Sequence, residues 1–152
     1  MELRARISEA LKSAMREKEA ERLSTLRLIN AAIKDRDIAL RAEGRDDGAS
    51  DTEVLQILGK MVKQRQESIR AYEEGGRLEL AEKEAEEIKV IEGFLPRQLT
   101  EAETRAAVAE AISATGASSI RDMGRVMGEL KARFTGQMDF SSVGSMVKER
   151  LA

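Results

Sequence analysis

Histidine and cysteine are both missing from this chain of 152 residues. Without histidine the commonest general base and the commonest metal ligand are gone, together with every Ser-His and Cys-His nucleophile. Without cysteine there is no disulfide frame and no thiolate zinc site, which suits a reducing compartment. Tryptophan is absent and aromatics make up 3% of the chain, so the core must be built from Leu, Ile, Val, Met and Ala. No apolar run approaches membrane-spanning length. Residues 1–18 mix charge throughout and lack the apolar centre of a secretory leader. The expectation is a cytoplasmic protein with no membrane contact.

Charged residues account for 36% and hydrophobic ones for 41%, a balance suited to helices in water rather than to disorder. The net charge of −2 is unevenly spread. The stretch from Glu73 to Leu95 is acidic and its flanks are slightly basic. No part is basic enough to demand nucleic acid on charge alone.

Apolar residues recur at helical spacing almost throughout. Leu3, Ile7, Leu11, Ala14 and Met15 predict a first helix over 2–18, and Leu23, Leu26, Ile29 and Ile33 a second over 20–43. A polar loop with Gly44 and Gly48 follows. Ser50 and Glu53 have capping-box spacing and open a third helix carrying Leu55, Leu58, Val62, Ile69 and Tyr72. Gly75-Gly76 stops it. A fourth helix spans 78–92. The only proline, Pro96, restricts itself and Leu95, so the pattern breaks there. Three shorter helices follow, opened by Thr100, Ser119 and Asp139. The reading is all-α: a helical domain of about four helices at 1–93 and a small three-helix domain at 94–152.

Phosphate loops, zinc-protease motifs, serine-hydrolase elbows and calcium loops are all absent from the sequence. Glu82, Glu84, Glu86 and Glu87 alternate with lysines, as on a solvated helix face. No catalytic residue, metal site or cofactor is expected.

Three constellations remain. Arg27, Asn30 and Lys34 share a stripe beside an apolar face, either to meet a phosphate backbone or partner, or to form hydrogen bonds between helices. Arg65 falls inside the apolar seam of the third helix, so its guanidinium either snorkels out to water or is met by a carboxylate such as Glu19 or Asp35, or by a phosphate. Gly124 and Gly128 lie one turn apart, and a glycine inside a helix costs about 1 kcal/mol against alanine. Either the final helix packs closely there through Gly144, or the bare backbone receives RNA phosphates beside Arg121, Arg125, Lys131, Arg133 and Lys148.

The order of these motifs resembles the GatB/YqeY family. It rests on Arg22 to Lys34, Lys63 to Ile69, Phe94-Leu95-Pro96-x-Gln98-Leu99, Asp122-Met123-Gly124-x-Val126-Met127, and Asp139 with Val143, Val147 and Leu151. The resemblance implies that the smaller domain is like the tail of the GatB subunit of the tRNA-dependent amidotransferase, which helps hold tRNA. Phe140 stands where such tails often carry proline. Three functions follow as expectations: an accessory protein binding tRNA or other structured RNA without catalysis of its own, a glutamine-dependent carbon-nitrogen ligase or a subunit of one, or a protein adaptor with a partner in translation. The oligomeric state stays open.

Overall fold

A computed structural model describes residues 2–152, and every regular element among them is helical. The helices are α1 (Glu2–Arg16), α2 (Ala20–Ala42), α3 (Asp51–Glu74), α4 (Leu78–Glu92), α5 (Glu101–Thr115), α6 (Met123–Phe134) and α7 (Phe140–Leu151). A 3₁₀ turn, Ile120–Asp122, leads into α6. The chain divides into two compact units, Met1–Leu95 and Pro96–Ala152. Phe94 and Leu95 pack on the first core, two residues past the boundary drawn from the sequence.

The start signals act as the caps they resemble. The Ser50 hydroxyl accepts the Glu53 N–H, and the Glu53 carboxylate accepts the Ser50 N–H. Thr100 and Glu103 repeat that box at α5. Gly116 takes a left-handed φ of 67°, and the Ala117 N–H reaches back to the Ile112 carbonyl, closing α5.

The first core joins Leu3, Ile7 and Ala14 of α1 to Leu26, Ile29, Ile33 and Leu40 of α2, and to Val54, Leu58 and Met61 of α3. Arg6 reaches from α1 to the Gly93 carbonyl and stacks 5.7 Å above the Phe94 ring. The buried line of α3 runs Val54, Leu58, Met61, while Leu55, Val62, Ile69 and Tyr72 are half-buried. Arg65 continues that line one turn on. Its side chain is 14% exposed, and Nε donates to Glu87 at 2.8 Å, with Glu84 at 3.8 Å. Both carboxylates come from α4, so neither Glu19 nor Asp35 serves it.

The loop between α2 and α3 is held from below. Both guanidinium arms of Arg4 donate to Asp37, at 2.7 and 2.8 Å. Asp37 Oδ1 also accepts the Ala49 N–H at 2.8 Å, and Ala49 is fully buried. Gly48, at φ 77°, passes so close that a Cβ there would sit 3.1 Å from Asp37 Oδ1. Glu53 receives Arg45 at 2.8 Å and Arg36 at 3.3 Å.

The second unit packs Ala107, Val108 and Ala111 of α5 against Val126 and Leu130 of α6 and Val143, Val147 and Leu151 of α7. Gln137 closes the ring of loops: its carbonyl accepts the Leu99 N–H, and its amide donates to the Arg97 carbonyl.

Two predictions concern the first unit, whose unfolding the sole tyrosine, Tyr72, can report. Arg4 chiefly, and then the Ala49 N–H, hold the Asp37 carboxyl at about 2, below its usual 3.8. Arg45 and the Ser50 N–H bring Glu53 to about 2, from 4.5. Lowered carboxylate values contribute stability that is complete above about pH 4.5 and is lost as the pH falls towards 2. Asp37→Asn should cost about 1 kcal/mol at pH 7 in urea denaturation, with the gap closing by pH 2. A gap independent of pH would refute the clamp. Arg65→Ala should cost about 1–3 kcal/mol by leaving Glu84 and Glu87 partly buried without a cation. Arg65→Met, which fills the same line, should cost less when Glu87→Gln accompanies it.

Candidate nucleic-acid interface

Helix α6 buries Val126 and Leu130 and half-buries Met123, Met127 and Phe134. At 100° per residue the opposite face carries Gly124 and Gly128 with Lys131 and Thr135. Both glycines are exposed, and a Cβ built on either meets nothing within 4 Å. The close approach by the last helix that the sequence allowed does not occur. Gly144 of α7 instead faces Met123 and Met127, whose methyl carbons would lie 3.7 and 3.9 Å from its Cβ. Gly124 also lies in the first turn of α6 rather than deep within it, so its conformational cost is smaller than that of Gly128.

The basic residues divide into free and occupied. Arg121, Lys131 and Lys148 are exposed, and none has an ion-pair partner among the described residues. Arg121 precedes Gly124 by three positions and Lys131 follows Gly128 by three, so they bracket the bare strip. Arg125 lies beside the strip but donates to Asp122 at 2.8 Å and to the Thr115 carbonyl at 3.2 Å. Asp122 also accepts the Ser118 N–H; that bond, then Arg125, holds its carboxyl below the usual range. Arg133 lies about 180° around the helix from Gly124. It pairs with Glu110 of α5 at 3.3 Å and lies 5.3 Å from the Phe134 ring. Arg133 therefore braces α5 against α6 and leaves the expected cluster. Lys148 sits one turn beyond Gly144 on α7.

The first unit's candidates separate as well. Arg27 and Lys34 are exposed on α2 and have no ion pair among the described residues. Asn30 is half-buried and makes no hydrogen bond there, so the expected network between helices is not formed. Arg65 is taken up by Glu84 and Glu87 of α4. Sequence reasoning missed Asp37 altogether. Its only signal was an acidic residue among the exposed charges of α2, and nothing local ties it to Arg4. Beside it lies an open cavity of about 430 Å³ lined by Arg4, Asp37, Arg41, Asp46, Asp47 and Gly48. Two arginines and three aspartates line it, and of these Arg4 and Asp37 are taken up by each other.

No set of three or more carboxylates among the described residues could hold a metal, and no helix is long and apolar enough to cross a membrane.

Likeness to known proteins bears on identity. A protein named altered inheritance of mitochondria protein 41, mitochondrial, from Kluyveromyces lactis is 31% identical over 90 residues, covering 59% of this chain and 46% of its own length. The protein of the same name from Clavispora lusitaniae is 37% identical over 87 residues, 56% of this chain and 46% of its own length. An uncharacterized protein of Schizosaccharomyces pombe is 30% identical over 94 residues, 62% of this chain and 72% of its own. The chain thus spans about half the length of the first relatives it matches. The family model described as Yqey-like protein matches residues 4–151, nearly the whole of the 152-residue chain, and the chain belongs to that family.

Proposed function

We propose that the chain is an accessory protein that holds tRNA or another structured RNA on the outer face of α6, without turnover of its own. The supporting observation is the open space over Gly124 and Gly128. A helix interior that keeps glycine where alanine would fit gives up about 1 kcal/mol at Gly128 for no gain in packing. A backbone strip without side chains lets a sugar-phosphate chain approach closely, and Arg121 and Lys131 stand at its two ends to meet phosphates. The similarity of these motifs to the tail of GatB points the same way, as does the order of Gly124, Val126, Met127 and Lys131 in the chain.

The charge available is small, so binding should be modest and should fall with salt on a shallow log-log slope, because few phosphates are neutralised. Two relatives carry "mitochondrial" in their names, so the RNA offered should include organellar as well as cytosolic tRNA. A filter-binding titration at low salt is expected to show retention. Arg121→Ala with Lys131→Ala should weaken it and flatten the log-log salt slope by about 1–2. Gly128→Ala is the sharper probe. It should stabilise the chain by about 0.5–1 kcal/mol and still weaken RNA retention, since the new methyl group stands on the strip. A stabilised variant with unchanged retention moves the site off α6, and no retention at low salt ends the RNA reading. Glutamine-dependent amidation of mischarged tRNA by the purified chain would replace holding with catalysis.

A further inference from the structure

Helix α2 is apolar on two sides. Its core side carries Leu26, Ile29, Ile33 and Leu40. Its solvent side carries Leu28, 46% exposed, and Ile38, 58% exposed, two of the few large apolar side chains left in water. Isolated apolar residues on a surface need no explanation. These two belong to a line. Leu28, Ala31, Asp35, Ile38 and Ala42 follow one another at alternating steps of three and four, the spacing of a coiled-coil seam. That line runs about 20 Å along the helix. Arg27, Lys34 and Arg41 fall one position before Leu28, Asp35 and Ala42, so one whole edge of the seam is cationic, with about 10 Å between successive charges. Arg27 and Lys34 have no ion pair among the described residues, and Arg41 acts only at a distance on Asp37.

The geometry points to the outer face of α2 as a docking surface for an acidic amphipathic helix of another protein. Charge decides the occupant. An antiparallel second copy would set Arg27 and Lys34 against cations of the same edge, and a parallel copy would set them against Ala32 and Ala39. Neither arrangement gains an ion pair. A helix with apolar seam residues and Glu on its flank would cover Leu28 and Ile38 and pair with all three cations. Asp35 sits within the seam. There it selects a partner with a cation or amide opposite, which fixes the register as a single polar seam residue does in coiled coils. The surface lies in a different unit from the α6 strip, and the inference does not depend on the RNA reading.

The test uses the full chain and two synthetic helices of about three heptads. Both carry Leu at the seam and Asn opposite Asp35. One has Glu on its flanks and the other has Lys. In fluorescence anisotropy the Glu helix should bind at least about tenfold more tightly than the Lys helix, with the difference shrinking as salt rises. Arg27→Glu with Lys34→Glu should reverse the preference, and Leu28→Ser with Ile38→Ser should weaken the Glu helix. These positions are exposed, so circular dichroism should be unchanged. Lys131→Ala, in the other unit, should leave peptide binding intact even if RNA retention falls. Equal binding of the two helices, or binding of neither, overturns the proposal. So does a dimer in sedimentation that Ile38→Ser dissolves, which would assign the face to a second copy. RNA retention lost in the charge-reversed variant, with no discrimination between peptides, would assign it to phosphates.

Discussion

Asp37 is the residue on which the order of the first unit depends. A carboxylate has enough acceptor sites to take the Arg4 fork and still bind a backbone N–H. Here it uses both capacities, joining α1 to α2 and then gripping the loop at Ala49. Ala49 is buried because that bond draws the backbone inward, and Gly48 is needed beside it because no Cβ fits comfortably against the Arg4–Asp37 pair. Ser50 and Glu53 then start α3 in a fixed place. Glu53 serves both the cap and Arg45, so the chain that enters the helix is tied to its first turn. With the beginning of α3 set, Leu58, Met61 and Arg65 follow along one line towards α4.

Most of the helical pattern was legible because its causes are local. Capping boxes at Ser50 and Thr100, the left-handed stop at Gly116 and the break at Pro96 each act within a few residues. The fourth helix falls where its sequence signals place it, and the first ends two residues early, at Arg16. Which face of a helix is innermost was less legible. On α3 the core line is Val54, Leu58, Met61 rather than the neighbouring line through Leu55 and Val62. Both lines are apolar, and only packing against α1 and α2 chooses between them.

Partnerships across helices were not legible, for the same physical reason. Arg65 plainly needs a carboxylate, but the sequence points to Glu19 or Asp35 and makes Glu84 and Glu87 part of a solvated face; only the packing of α3 on α4 brings these two to the guanidinium. Asp37 gave no warning, since an aspartate between Arg36 and Ile38 reads as surface. Arg133 was grouped with Arg125 by proximity in sequence, but nine positions from Gly124 is half a turn out of phase. Its pairing with Glu110 belongs to the packing of α5 on α6.

The two outward faces of interest differ in kind, and the difference bears on what each can hold. On α6 the exposed line loses its side chains: Gly124 and Gly128 leave backbone, with cations only at the ends. Such a surface offers little apolar area to another protein helix, but it admits a bulky, charged, flexible chain. On α2 the exposed line gains side chains that water does not favour, Leu28 and Ile38, with a row of cations along one edge. A phosphate backbone would use the row and leave the apolar seam wet, whereas an acidic amphipathic helix uses both. Taken together, the two proposals give the chain one surface for an RNA and one for a protein helix. Because the surfaces lie in separate units, each contact can be lost by substitution without disturbing the packing that supports the other.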